Sequence, residues 1–173
     1  RTWLRLHGRS RTYSIKLSAG TIPEMALELR RFIAEVIRVN ELPASAQVDV
    51  VAHSMGGLVS RLALHDERTA RRVHTLVTLG TPHGGTHAAR FASGPLTDAL
   101  RPHSELMRRL DTDLPWRRPT RLVCFWSAGD PLMQPAMTAT VDGAESWEVA
   151  EFSHLDWLMR KAAWMGVDEV LRG

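Results

Sequence analysis

A single cysteine, Cys124, is all that this 173-residue chain contains, so no internal disulfide framework and no multi-thiolate zinc site can staple it together. Long apolar runs are missing as well. Such runs as occur, Leu76 to Leu79 preceded by Val73 among them, fall far short of the roughly 20 residues a membrane-spanning helix needs, and no apolar signal-type segment opens the sequence. Internal repeats, low-complexity tracts and interdomain linkers are also absent, which predicts one domain over residues 1–173. With 44% hydrophobic and 24% charged residues, the composition is that of a soluble globular domain stabilised by packing. It assigns no compartment, cytoplasmic or secreted.

Lysine is scarce: 20 of the 22 basic residues are arginine, set against 19 acidic ones for a net charge of +3. A basic balance points first to nucleic acid. Here the arginines occur singly or in pairs (Arg30-Arg31, Arg71-Arg72, Arg108-Arg109, Arg117-Arg118) with acids nearby, not in one dense block, and nucleic acid is not an expected partner.

Periodicity supplies the elements. Tyr13 to Leu17 alternates as a short strand, and Ser18 to Gly20 forms a turn. Thr21 and Pro23 start a helix in which Met25, Leu29, Phe32, Ile33, Val36 and Ile37 recur at three and four. Val48 to Ala52, Val73 to Leu79, Arg121 to Ser127 and Ser146 to Glu151 read as further strands. Helices are expected just past Ser54, from Ser104 to Leu110, and at the end through Leu155, Leu158, Met159, Ala162 and Ala163. Strands alternating with helices predict an α/β fold: a mostly parallel sheet with helices on both faces, whose sites form at the carboxyl ends of the strands.

The chemistry concentrates at Ala52-His53-Ser54-Met55-Gly56-Gly57. A serine on a sharp strand-to-helix turn takes a strained backbone conformation, which demands very small residues two before and two after it; here they are Ala52 and Gly56. The helix behind Ser54 aims its amides at a reacting carbonyl oxygen, with Met55 N–H as one oxyanion donor. An ordinary tight strand-to-helix connection would carry the same small residues.

Serine needs a base, and the base an acid to orient it. Asp130 follows the strand ending at Ser127, and His154 follows the last strand, so both emerge at the same sheet edge as Ser54. Asp142, at the far turn before the last strand, and Asp156, on the helix after His154, compete as the acid. His53 and His83 are the expected substrate-lining residues. The side chain of His53 should point away from that of Ser54, and His83 with His87 can equally be surface-loop histidines. His7, His65, His74 and His103 read as bystanders. No third ligand at suitable spacing accompanies His83 and His87, and neither a metal nor an organic cofactor is called for.

Taken in order, four segments resemble the serine lipases and esterases of the α/β-hydrolase fold. They are Ala52 to Gly57, Leu76 to Thr86 (L-V-T-L-G-T-P-H-G-G-T), Trp126 to Pro135 (W-S-A-G-D-P-L-M-Q-P) and Phe152-Ser153-His154-Leu155. The Ala-for-Gly elbow is similar to that of compact bacterial triacylglycerol lipases. The resemblance implies Ser54 as nucleophile, Asp130 as acid and His154 as base, with carboxylic esters cleaved through an acyl-enzyme. Small-molecule or lipid esters are the implied substrates, with transient contact at lipid interfaces. A thioesterase or acyltransferase using the same residues, and a non-catalytic hydrolase-like binding module, are the alternatives.

One departure from the family matters. Its members carry an upstream strand ending in an H-G type turn that supplies the second oxyanion donor. His7-Gly8 does not fit that part: Trp3 to Leu6 reads as the end of a helix, and the strand near Arg11 follows too soon. Five strands are visible where the compact fold needs at least six, so the expectation is an N-terminally truncated α/β-hydrolase lacking its central oxyanion strand. Residues 88–119 break the alternation where this fold often inserts a lid. Five of the six tryptophans (Trp116, Trp126, Trp147, Trp157, Trp164) lie in the last third, as core residues or, less expectedly, as an acyl-site lining.

Overall fold

The computed structural model describes residues 4–5, 7–9, 11–18, 20–112 and 120–172. Helix α1 (Ile22–Val39) starts at a capping box, in which the Thr21 side chain accepts from the Glu24 N–H and Glu24 reaches back to the Thr21 backbone. Such a cap is worth about 1 kcal/mol. Its Ile22, Met25, Leu29, Ile33 and Ile37 are buried at the helical period.

Strand β1 (Val48–His53) follows, then α2 (Met55–Ala63), the short α3 (Glu67–Ala70) and β2 (Val73–Leu79). After a 3₁₀ turn at His87–Phe91 come α4 (Pro95–Ala99) and α5 (Glu105–Thr112), so the predicted excursion is a run of short helices up to residue 112. Its remainder, with Trp116, lies outside the described residues. Strands β3 (Arg121–Trp126) and β4 (Glu145–Glu148) and helices α6 (Asp156–Met159) and α7 (Lys161–Val170) complete the order.

The four strands lie in the spatial order β1-β2-β3-β4, and every pair is parallel. Register pairs His53 with Leu79, Leu79 with Phe125, and Trp126 with Glu148, so the carboxyl ends of the strands share one edge. Side chains alternate between two cores. Leu76 and Cys124 pack with Leu29, Ile33, Leu58 and Leu62 on the α1–α2 side, and Val77, Val123 and Phe125 pack with Trp157, Ala163 and Val167 on the α7 side. The sheet is thereby covered on both faces, as the near-continuous burial along β2 and β3 requires.

Three expectations need correction. Residues 13–17 form no strand: Tyr13 bonds Asn40 and Ile15 packs beside α1, and a groove separates the segment from the open edge of β1, so no ladder forms. The last strand stops at Glu148, before Glu151 turns to a φ of 57°, a left-handed conformation that no strand accommodates. The terminal helix is two helices separated by an extended Arg160, and Leu155, Leu158 and Met159, expected on its buried face, are exposed. Leu4 and Arg5 are helical; Trp3 and Leu6 lie outside the described residues.

Strand β1 has an interior sequence but an edge position. Val48, Val50 and Val51 are only half-buried, whereas β2 is buried at six of its seven positions. The N–H groups of Val48 and Ser54 bond to Arg72 and Leu79 on the β2 side. Alternation along a parallel strand therefore turns the polar backbone of Asp49, Val51 and His53 the other way. A groove of about 690 Å³ runs along that edge between β1, residues 11–15, Phe32 and Val36 of α1, and Trp164.

Candidate active site

Ser54 is the hinge between β1 and α2, with φ 54° and ψ −132°. A non-glycine residue there costs about 1–3 kcal/mol and must be held by its surroundings. Three bonds hold it: Ser54 N–H to the Leu79 carbonyl at 3.0 Å, and Gly57 N–H (3.0 Å) and Thr81 Oγ1 (2.8 Å) to the Ser54 carbonyl. Small residues are expected at Ala52 and Gly56, yet the stricter requirement is at Gly57, where a Cβ would collide with the Thr81 hydroxyl. A Cβ at Gly56 would meet the Ala52 methyl at an ordinary 3.8 Å.

Around this turn the structure brings together three of the predicted residues. His154 Nε2 lies 2.9 Å from Ser54 Oγ, and His154 Nδ1 lies 2.9 Å from Asp130 Oδ2. An ionised carboxylate only accepts, so Nδ1 carries the proton and the lone pair of Nε2 faces the serine hydroxyl. The Asp130 side chain is fully buried and that of His154 is 12% exposed. Burial alone would raise the Asp130 pKa, but the bonds from His154, Leu132 N–H and Trp157, together with the charge of His154, outweigh it and hold the carboxyl below its ordinary value. Asp130 is thus ionised wherever the protein is folded at neutral pH.

The supporting contacts were illegible in the sequence because they join distant segments. Trp157 Nε1 donates to Asp130 Oδ2 at 3.2 Å. Gly80, at φ 51°, leaves room for both, since a Cβ there would lie 2.6 Å from Trp157 Nε1 and 2.9 Å from Asp130 Oδ2. The buried Ser127 hydroxyl accepts from Gly129 N–H and Phe152 N–H, tying the aspartate loop to the histidine loop. Trp157 is buried core. Its indole N–H explains why it is a tryptophan.

The competing acids are placed elsewhere. Asp156 accepts from the backbone and hydroxyl of Ser153, and Asp142 lies before the amino end of β4, away from the carboxyl edge. Met55 opens α2, and of the first-turn N–H groups that of Gly57 is taken by the Ser54 carbonyl, while that of Met55 stands at the first helical position, where no intrahelical carbonyl precedes it. His53 turns its Nε2 to the His154 carbonyl at 2.9 Å.

His83 does not line an entrance. It is 1% exposed, with Nε2 3.0 Å from Thr78 Oγ1 and Nδ1 3.4 Å from the buried Arg61 guanidinium. The loop turns its imidazole inward beneath the sheet edge, where it braces α2 against β2. Burial, with the Arg61 charge adding to it, holds the His83 pKa well below its ordinary 6.5. The folded state keeps this ring neutral while the unfolded chain takes up a proton as pH falls through 6.5, so stability declines with acidification below that pH. A thermal melt at pH 5 should fall below that at pH 7.5, and His83→Gln should flatten that dependence. An unchanged pH dependence would remove His83 from it.

Among the described residues, no helix is long and apolar enough to cross a membrane.

Residues 18–93 match the family described as the PGAP1-like alpha/beta domain. That stretch contains Ser54 but neither Asp130 nor His154. Over 69 residues, 38% of this chain, the sequence is 41% identical to the GPI inositol-deacylase of Cryptococcus neoformans var. neoformans serotype D (strain B-3501A). The match takes in 9% of that protein, so the chain spans only a small part of the length of the curated relatives it matches. Among solved structures, the mature Bacillus licheniformis lipase BlEst2 superposes with a TM-score of 0.71 at 16% identity, over 87% of this chain and 74% of that one. Aspergillus fumigatus lipase B superposes with a TM-score of 0.66 at 17% identity, over 85% of this chain and 41% of that one. A parallel sheet covered on both faces, a serine hinge at the carboxyl end of β1 and these likenesses together show that the chain has the α/β-hydrolase fold of the lipases and esterases.

Proposed function

We propose that this protein is a serine hydrolase of carboxylic esters, with Ser54 as nucleophile, His154 as general base and acid, and Asp130 as the group that orients and charges the imidazole. The observation that carries the reading is the unbroken relay of two 2.9 Å contacts from Ser54 Oγ through His154 to Asp130, set on a strained hinge. As Ser54 Oγ attacks the ester carbonyl carbon, its proton passes to His154 Nε2 and the carbonyl oxygen takes the negative charge beside Met55 N–H. The tetrahedral adduct collapses, breaking the bond to the alcohol oxygen, which receives the proton from His154. Water then attacks the acyl-serine by the same steps, releasing the acid and restoring Ser54. The Cryptococcus relative is a GPI inositol-deacylase by name, which agrees with an acyl ester as substrate.

Incubation with a fluorophosphonate and digestion should place the adduct on the peptide carrying Ser54. Absence of any adduct there would overturn the reading. Faster turnover of a thioester than of its oxygen ester would move the activity to thioesterase.

The backbone of Asp49, Val51 and His53 faces the groove along the outer edge of β1, where a further strand would pair it.

A further inference from the structure

We infer that His53 is a positioning residue that clamps the histidine loop onto the nucleophile turn through the carbonyl oxygen of His154. This inference rests on the reading of Ser54 and His154 as a reacting pair. His53 is the last residue of β1 and is covalently joined to Ser54, so whatever its ring holds is held in fixed relation to the serine. Its Nε2 lies 2.9 Å from the His154 carbonyl oxygen. That oxygen can only accept, so the ring donates from Nε2 and, when neutral, leaves Nδ1 bare.

The other bonds of the loop it grips fall on neighbouring residues. Between the end of β4 at Glu148 and the start of α6 at Asp156, Val149 N–H bonds the Trp126 carbonyl, Arg160 donates to the Glu151 carbonyl, Phe152 N–H bonds Ser127 Oγ and Ser153 bonds Asp156. The side chain of His154 is bonded to Asp130 and Ser54, both of which shift in strength as the imidazole gains and loses its proton. The bond from His53 to the backbone does not depend on that proton. It fixes the Cα of His154 while the ring chemistry proceeds.

The two rings also touch, with centroids 4.6 Å apart and planes inclined by 42°. A charged His53 at that distance would oppose an imidazolium forming on His154. Burial lowers the His53 pKa, and the His154 charge lowers it further, against the raising effects of the His154 carbonyl bond and Asp130. The ring therefore stays neutral at working pH. The groups facing it, His154 and Asp130, are those of the reacting relay itself.

Two variants separate the bond from the packing. His53→Phe keeps an aromatic ring and loses the donor, and His53→Gln keeps an amide donor near the Nε2 position without the ring. With a chromogenic short-chain ester, His53→Phe should lower kcat by about 10- to 100-fold with KM within about twofold, as misplacement of a reacting group does. His53→Gln should recover most of that loss, and the rate of fluorophosphonate labelling at Ser54 should follow the same order. Parent-like rates in His53→Phe, or equal losses in both variants, would overturn the clamp. The ring ¹⁵N spectrum of the unsubstituted protein reads the clamp without turnover: a protonated Nε2 with a bare Nδ1 is expected, and the opposite tautomer overturns it. An Nε2–H tautomer in a protein that no fluorophosphonate labels would instead overturn the hydrolase reading, and the positioning role with it.

Discussion

Ser54→Ala should lower ester kcat/KM by about 10⁴- to 10⁶-fold and remove fluorophosphonate labelling altogether. The size of the effect follows from the hinge. Ser54 Oγ is the atom at 2.9 Å from His154 Nε2, and the next serine in the chain, Ser60, donates its hydroxyl to the Gly56 carbonyl from within α2. Any residual rate would come from the backbone donors and from binding alone. Folding should be little affected, because the Ser54 side chain caps no helix N–H and the bonds that hold the turn are made by backbone atoms and Thr81. Thermal melting alongside the kinetics separates the two. Labelling that survives in Ser54→Ala would mean the nucleophile has been misassigned.

Asp130→Asn should cost about 10⁴-fold in kcat, through the tautomer rather than through lost charge alone. In the native arrangement one carboxylate oxygen accepts from Leu132 N–H at 3.0 Å, and the other accepts from His154 Nδ1 and Trp157 Nε1. An amide has one accepting oxygen. If that oxygen faces Leu132, its NH₂ confronts the indole N–H and donates to His154 Nδ1, driving the ring proton to Nε2 and removing the base. If it faces His154 and Trp157, the NH₂ is set against Leu132 N–H. Either orientation leaves a buried donor without an acceptor, at about 1–3 kcal/mol. Urea denaturation should therefore report a loss of stability beside the kinetic loss. Because the native carboxyl titrates below its ordinary range, the stability that its bonds contribute is present above the unfolded carboxyl's pKa and disappears only as pH falls through its lower folded one. An Asp130→Asn protein with native kcat would exclude Asp130 as the orienting acid.

Local pattern carried much of this molecule. The 3.6-residue recurrence of Met25, Leu29, Ile33 and Ile37, with Thr21 and Pro23 before it, is enough to draw α1. The apolar runs at residues 73–79 and 121–126 mark the two inner strands. That Ser54, Asp130 and His154 meet at one place was legible because each directly follows or closely trails a strand, and all parallel strands end at one edge. Tyr13 to Leu17 went wrong for a corresponding reason. Alternation describes how a strand would pair, and only a neighbouring edge decides whether it does.

The histidines divide along the same line. His53 and His83 both sit at strand ends in the sequence, and nothing local distinguishes a ring that clamps a loop from one buried against Arg61. Local sequence is sufficient where a property depends on residues within a turn of one another: helix faces, strand runs, caps and the small residues of a sharp hinge. The close approach of Gly57 to Thr81, the indole N–H of Trp157 on Asp130 and the bond of Ser127 to Phe152 N–H join segments 24 to 27 residues apart, and the inward turn of His83 reverses a loop's expected facing. Those were settled by packing in three dimensions, because a hydrogen bond requires its two atoms to meet within about 3 Å, and chain separation says nothing about which atoms will.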